Sequence, residues 1–348
     1  MMSNGQGFIV ADLQGVCEAL LLLVFSVGPW GCAGGAEGTV IRTPEIVVAR
    51  DGSGTFRTVQ QAFDAVPDRS DRWTVIRVKS GRYREKIVLR PEKGRVVIRA
   101  EESGRAVFSY DDHTGKVVGR DTINTRTSAS CSLEGDDLVV EGITFENTAG
   151  RVGQAVALQI TGDRVALRNC KIIGDQDTFF ARGIGRIFLQ ECEIEGTTDF
   201  IFGSSIVLLK RCHVKSKKDS YVTAASTPEG NRFGFVFEEC TLTADSGLAR
   251  VYLGRPWRPF AKTVFLRCEL GGHFLPEGWH NWSKPDAERT AFYAEHRCAG
   301  KGADRSHRVP WSRELTDEQA SAYTVKEIFS AGASTAGFSA DWVPEFQP

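Results

Sequence analysis

No excess charge of either sign marks this chain: 43 lysines and arginines face 44 aspartates and glutamates, a formal net charge of −1. Without a basic field, binding to nucleic acid or an anionic membrane surface is not expected to be its main task. Nothing approaches the roughly twenty consecutive apolar residues that a membrane-spanning helix needs. The six histidines show neither H-x-H nor H-E-x-x-H spacing, which argues against a metalloenzyme. No G-x-S-x-G is present, so the nucleophile elbow of an α/β-hydrolase is ruled out. Two methionines against 36 glycines suit a turn-rich, strand-rich protein better than a helical bundle.

Basic residues are also missing from the start of the chain, where none precedes Arg42. The apolar run Ala19–Val27 (ALLLLVFSV) is followed by Gly28, Pro29 and the small-residue stretch Cys32–Ala36. A run of this length matches the h-region of a secretory signal, although its basic n-region is lacking. Residues 1–36 are therefore expected to be a leader, and the protein to be secreted. The sequon Asn281-Trp282-Ser283 is compatible with that route.

Nine cysteines are present, and five occupy one recurring phrase. It reads ALRNCKI at Cys170, FLQECEI at Cys192, LLKRCHV at Cys212, VFEECTL at Cys240 and VFLRCEL at Cys268. LVVEGITF fits ahead of them with Gly142 in the cysteine slot, giving steps of 28, 22, 20, 28 and 28 residues. Self-similarity at this period signals a solenoid. Short β-rich runs without intervening helices favour an all-β, single-stranded parallel β-helix over a βαβ sheet. The ladder cysteines then read first as interior packing residues, with disulfides left open. Val59, Ala62, Phe63 and Val66 fall at helical spacing before Pro67, as in a short N-terminal capping helix. Near the other end, Thr316 and Gln319 open TDEQASAYTVKEIF with a capping-box pattern, expected to start a helix along the solenoid's side. With no linker or low-complexity tract after residue 45, residues 45–348 are expected to form one domain. No signal for self-association is visible, so a monomer is expected.

The repeat brings two carboxylates together. Seven residues past Cys170 lies Asp177, and seven past Cys192 lies Asp199. Equal offsets on consecutive coils imply a separation of about 5 Å. Two carboxylates this close do not both ionise freely, and a proton-sharing pair supplies an acid beside a base or nucleophile. Cys212 plus seven gives Asp219, however, so the offset alone does not single out catalysts. Phe180 and Phe202 share an offset of ten, placing aromatic surface beside the pair. Gln154 and Gln176 are neutral amide donors suited to a developing oxyanion. In YLGRPW, Arg255 could pair with an ionised aspartate, and Trp257 could stack on a sugar.

The ordered segments GSGTFRTVQQAFDAVP, GRYREKIVL, ITFENTAG, GQAVALQI, GDQDTFF, EGTTDFIFG and YLGRPW resemble the pectinesterase family from about Ile46 to the C-terminus. The resemblance implies a right-handed parallel β-helix and hydrolysis of methyl esters on pectin galacturonate, with no metal or organic cofactor. It implies Asp199 as nucleophile, Asp177 as general acid and base, Gln154 and Gln176 as oxyanion amides, and Arg255 as the residue orienting the nucleophile. Gln154, Phe180, Phe202, Arg255, Trp257 and, by a looser alignment, Thr125 are implied substrate contacts. Methyl-esterified pectin is the implied partner, with a proteinaceous pectinesterase inhibitor as a candidate second one. Too few residues precede Ile46 for the long inhibitor-like region of many plant relatives.

Three departures from the family pattern stand out. Asp175 occupies a place the family usually gives to an aromatic, and it reads as solvent-facing. Thr198 stands where the family commonly has valine, and the ARGIG segment is one residue longer than in many relatives. A pectin-cleaving glycosidase of the inverting kind needs carboxyls roughly 6.5–9.5 Å apart, wider than adjacent coils allow. The remaining alternative is a noncatalytic pectin-binding β-solenoid. It predicts loss of Asp177, Asp199 or Arg255, and all three are present.

Overall fold

The computed structural model describes residues 45–346, so the expected leader lies outside the described residues. Short strands stack coil upon coil into three parallel sheets of 11, 8 and 7 strands. One full coil runs through Leu138–Glu141, Ile143–Asn147 and Leu158–Ile160, one strand in each sheet. The next coil repeats it with Val165–Arg168, Lys171–Ile173 and Phe179–Ala181, paired in register. This is the parallel β-helix that the repeat implies. An antiparallel pair, Val117–Val118 with Asp121–Thr122, stands outside the coils.

Period-two alternation builds the interior. Ile187 and Leu189, then Val207 and Leu209, then Phe235 and Phe237 point inward on successive coils and are buried. Phe237 and Phe265 stack with ring centroids 4.4 Å apart. The bend between the first and second sheets needs a left-handed residue on most coils. It is met by Gly142 (φ 69°), Asn169 (53°), Glu191 (54°), Arg211 (51°), Glu239 (55°), Arg267 (52°) and Arg297 (47°). Gly142 is thus level with Asn169, and Ile143, not Gly142, holds the cysteine slot. The glycine belongs to the bend, where φ is positive and a Cβ is costly.

The cysteines form an internal ladder that Cys298 extends by a sixth rung. Each thiol from Cys170 to Cys298 donates to a carbonyl of the preceding coil at 3.3–3.7 Å. All seven cysteines among the described residues are free thiols, so packing and weak hydrogen bonds, not disulfides, join these rungs.

A helix covers the N-terminal coil, and the C-terminal segment packs along the side of the solenoid. Helix Val59–Ala65 is N-capped by Thr58, and the Glu85 carboxylate accepts from the Val59 and Gln60 N–H groups at 3.0 and 3.1 Å. Val59, Ala62 and Phe63 are its buried face. At the C-terminal end, the capping box at Thr316 and Gln319 is present, but the helix it opens stops at Ser321. A second helix, Val325–Ile328, restarts with Thr324 as its cap. The Thr324 hydroxyl competes for the backbone N–H of Glu327 and divides one expected helix into two. Ile328, Phe329 and Ala333 from this segment bury the outer face of the first sheet through Phe188, Leu208, Val236 and Val264.

Arg186 fixes that segment. Fully buried, it pairs with Asp163 and donates to the carbonyls of Phe329 and Ala340 at 3.0 and 2.7 Å. Removing it strands the Asp163 carboxylate and two carbonyls. Arg186→Ala is therefore expected to lose about 3–5 kcal/mol of stability by denaturant unfolding. Limited proteolysis of the variant should cut first within residues 325–346.

Candidate active site

The third sheet and the turns entering it carry the candidate residues. Asp177 is level with Asp199 because Phe179 pairs with Ile201 and Phe180 with Phe202 on the strands that follow them. Both aspartates adopt left-handed backbone, φ 63° and 50°, at the corner before the strand. Asp accepts this conformation better than most side chains do. The same column continues to Tyr221, not to Asp219, since Asp199 donates its N–H to the Tyr221 carbonyl at 2.8 Å. That coil has two more residues between its cysteine and the column. Asp219 instead caps a loop, accepting from the N–H groups of Ala249 and Arg250 at 3.0 and 2.8 Å.

One residue earlier runs a second column of Gln154, Gln176 and Thr198, with the first two joined by a parallel bridge. The glutamine amide groups make no side-chain hydrogen bond among the described residues and face the cleft. Thr198 shares a 2.8 Å hydrogen bond with the Ser220 hydroxyl. A third column holds Phe180, Phe202, Ala224 and Arg255. Phe180 and Phe202 stack at 4.2 Å and 11°, and Trp257 leans on both from 6.3 and 5.9 Å.

Arg255 reaches back to Asp199 as a two-pronged pair: Nε to Oδ1 at 2.9 Å and Nη2 to Oδ2 at 2.7 Å. The Ala224 methyl, small beside its column neighbours, leaves the space this requires. Gly254 is needed next to Arg255, because any Cβ there would lie 1.9 Å from the Thr223 hydroxyl.

These residues line one cleft of about 500 Å³. Every site residue expected from the sequence borders it: Thr125, Gln154, Gln176, Asp177, Phe180, Asp199, Phe202, Arg255 and Trp257. Thr125 enters from the turn before Arg126–Ser128, where its hydroxyl contacts that of Thr114 at 3.2 Å. Asn124, Arg126, Ala224 and Trp282 also line the cleft and were not anticipated. They lie outside the cysteine phrases or lack a reactive group, so no repeat register points to them.

Asp175 corrects the solvent-facing expectation. Its carboxylate is largely buried, 3.4 Å from the Lys217 ammonium and 3.8 Å from Arg151, and it does not line the cleft. The extra acid is neutralised in place by two cations.

The two aligned carboxyls differ electrostatically. Burial pushes Asp177 well above the usual carboxylate range, and the Asp199 charge adds to that, partly opposed by Arg255. Asp177 makes no side-chain hydrogen bond among the described residues. Burial also raises Asp199, but the direct bonds from Arg255 hold it back. The surroundings therefore favour the protonated form at Asp177 more strongly than at Asp199.

Comparison with known proteins identifies the family. The family model described as Pectinesterase matches residues 45–332. Pectinesterase 31 of Arabidopsis thaliana is 38% identical over 285 residues, spanning 80% of this chain and 90% of that protein. Pectin methylesterase from carrot superposes with a TM-score of 0.77 at 30% identity, covering 86% of this chain and 98% of the carrot enzyme. A pectin methylesterase solved in complex with a hexasaccharide gives 0.74 at 25% identity, covering 87% and 99%. A protected carboxylic acid beside an arginine-held carboxylate thus lies on a fold and sequence shared with these enzymes, and the chain belongs to the pectinesterase family.

Proposed function

We propose that this protein hydrolyses the methyl esters of pectin galacturonate, with Asp199 as nucleophile and Asp177 as general acid and base. The observation that carries the reading is the asymmetry of the pair: Asp199 is held by Arg255, while the buried Asp177 lacks a hydrogen-bonded partner among the described residues. An ionised Asp199 attacks the ester carbonyl carbon. Its oxygen, now carrying the negative charge, is stabilised by the Gln154 and Gln176 amides. Collapse breaks the bond to methoxide, which takes the Asp177 proton and leaves as methanol, and Asp199 is acylated. The Asp177 carboxylate then removes a proton from water as that water attacks the acyl carbon, which frees Asp199. The released galacturonic acid loses its proton to solvent, so water and one ester give methanol, a carboxylate and a proton.

Phe180, Phe202 and Trp257 provide the apolar wall against which a sugar face packs. Residues 45–348 form the catalytic domain in this reading, and residues 1–36 a cleaved leader that delivers it to the cell wall. N-terminal sequencing of secreted protein tests the last point, with a start near Ala33–Ala36 expected and an intact Met1 contradicting it. Proteinaceous inhibition would act at the open cleft.

Methanol release from highly methylated pectin tests the chemistry. The unmodified protein should release methanol without forming new reducing ends, and Asp199→Asn should lower kcat at least about 1000-fold while remaining folded. A folded wild-type protein that yields no methanol at any pH leaves the binding solenoid instead.

The pair also sets two pH responses. Activity requires Asp199 ionised and Asp177 protonated, so kcat/KM should rise as Asp199 loses its proton and fall as Asp177 loses its own. Stability follows a different sign. Asp177 is raised on folding, so the folded protein retains a proton that the unfolded chain releases, and stability declines as pH rises from the ordinary value of 3.8 towards the folded one. Asp177→Asn escapes that decline. Its stability relative to wild type should grow by up to about 1.4 kcal/mol per pH unit across this window in paired denaturant titrations.

A further inference from the structure

Arg255 is held by more than its carboxylate. Its guanidinium carbon lies 3.8 Å from the Tyr221 ring centroid on one side and 3.7 Å from the Trp282 ring centroid on the other. Tyr252 stacks behind Tyr221 at 5.3 Å and 12°. Beyond Trp282 stands the Lys284 ammonium, 4.6 Å from its ring and donating to the Trp257 carbonyl at 3.0 Å. Tyr252, Tyr221, Arg255, Trp282 and Lys284 therefore form one contiguous group of rings and cations. Such contacts are strongest where water is excluded, and Arg255 is mostly buried.

Trp282 belongs to a loop, not to a coil, and its placement is specified. It adopts left-handed backbone at φ 57°, unusual for a bulky side chain. Its N–H donates to Nδ1 of His280 at 3.0 Å, and burial together with the Arg255 charge holds His280 low, in its neutral accepting form. Next to it, the Asn281 side chain accepts from the Ser283 N–H at 2.9 Å and donates to Glu288 at 2.7 Å. Backbone strain of this kind persists where surrounding bonds enforce it.

We infer that Trp282 is a positioning residue: its ring, with that of Tyr221, clamps the Arg255 guanidinium in the plane that meets both oxygens of Asp199. A guanidinium has five N–H donors and many orientations. The rings leave it the edge-on approach, in which Nε and Nη2 point at the carboxylate. One face of Trp282 is covered by Arg255, and a second cation stands by the ring, so its role is distinct from that of the aromatic wall at Phe180 and Phe202. This inference rests on the esterase reading for its kinetic consequence, but not for its effect on the Asp199 carboxyl.

The test compares Trp282→Leu and Trp282→Phe in the full chain, with Trp282→Gln as a substitute should the leucine variant not fold. Charged and titratable groups around the pair are Asp177 from the preceding coil, Tyr221 and Tyr252 from the following ones, His280 and Lys284 from the loop, and Tyr293 from the interior. The Asp199 titration must therefore be followed directly, by carbon NMR of labelled aspartates. Trp282→Leu is expected to lower kcat for methanol release about tenfold with KM changed less than about twofold. The acidic limb of its pH profile and the Asp199 titration should both move to higher pH, and Trp282→Phe should restore most of each. A raised KM with an unmoved acidic limb would make the ring a sugar platform and overturn the inference, as would wild-type values throughout. Should wild-type protein release no methanol, the esterase reading falls, while the Asp199 titration in the variants still decides the role of Trp282.

Discussion

Coil-to-coil backbone pairing in strict register is the constraint on which the rest depends. Parallel strands spaced about 4.8 Å apart convert a sequence offset into a column of side chains. Gln154 and Gln176 share one column, Asp177 and Asp199 the next, and Phe180, Phe202 and Arg255 a third. Three columns separated by a few residues therefore hold the groups that the proposed mechanism uses as oxyanion donors, reacting carboxyls and an apolar wall. A flexible loop would hold none of these spacings, whereas each coil here is pinned by its neighbours above and below. Register also forbids the two carboxyls from drifting apart, so their mutual repulsion has to be met by a proton on one and a cation on the other.

The handling of buried charge elsewhere in the molecule gives that arrangement its meaning. Buried Arg186 has Asp163 and two carbonyls. Buried Glu295 is met by Arg305 and Arg308, and Lys93 by Asp68 and the carbonyls of Asp64 and Val66. Even the unexpected Asp175 has Lys217 and Arg151 close by. Against this background, Asp177 is the buried acid that faces a cavity with its carboxyl unbonded. Structural charges are satisfied by partners; a general acid must keep its proton free to give away.

Much of this was legible in the sequence because cysteine recurs at one structural position. Five phrases set the register, and that register delivered Asp177, Asp199, Phe180 and Phe202 to one wall. It failed where a coil changes length: two extra residues moved Tyr221, not Asp219, into the aspartate column. It slipped by one at Gly142, because glycine answers the bend's positive φ and so imitates a landmark it does not share. Cys298 continues the ladder from a phrase, HRCAG, too unlike the others to be matched. Trp282 was beyond reach, since a loop residue leaves no periodic trace and its contacts cross from one coil to the loop of another. At the C-terminal end the capping box is legible, whereas the second cap at Thr324, a lone threonine inside a helical pattern, carries no such signature.

The site works against the stability of the fold that holds it. Two largely buried carboxyls share one cleft, each on a residue in left-handed backbone, and that of Asp177 makes no hydrogen bond among the described residues. A small domain with a thin core would relax such a corner by rotating one side chain towards water. Here the backbone of Asp177 donates to the Thr198 carbonyl and that of Asp199 to the Tyr221 carbonyl, at 3.0 and 2.8 Å, so neither corner is free to open. Phe179 and Phe200, close to the aspartates in sequence, are buried in the main core. Each of those rings buries apolar surface worth roughly 1.5–3 kcal/mol, which anchors the backbone that follows each aspartate. Backbone bonds and buried neighbours thereby keep the two corners side by side, as the proposed acid and nucleophile require.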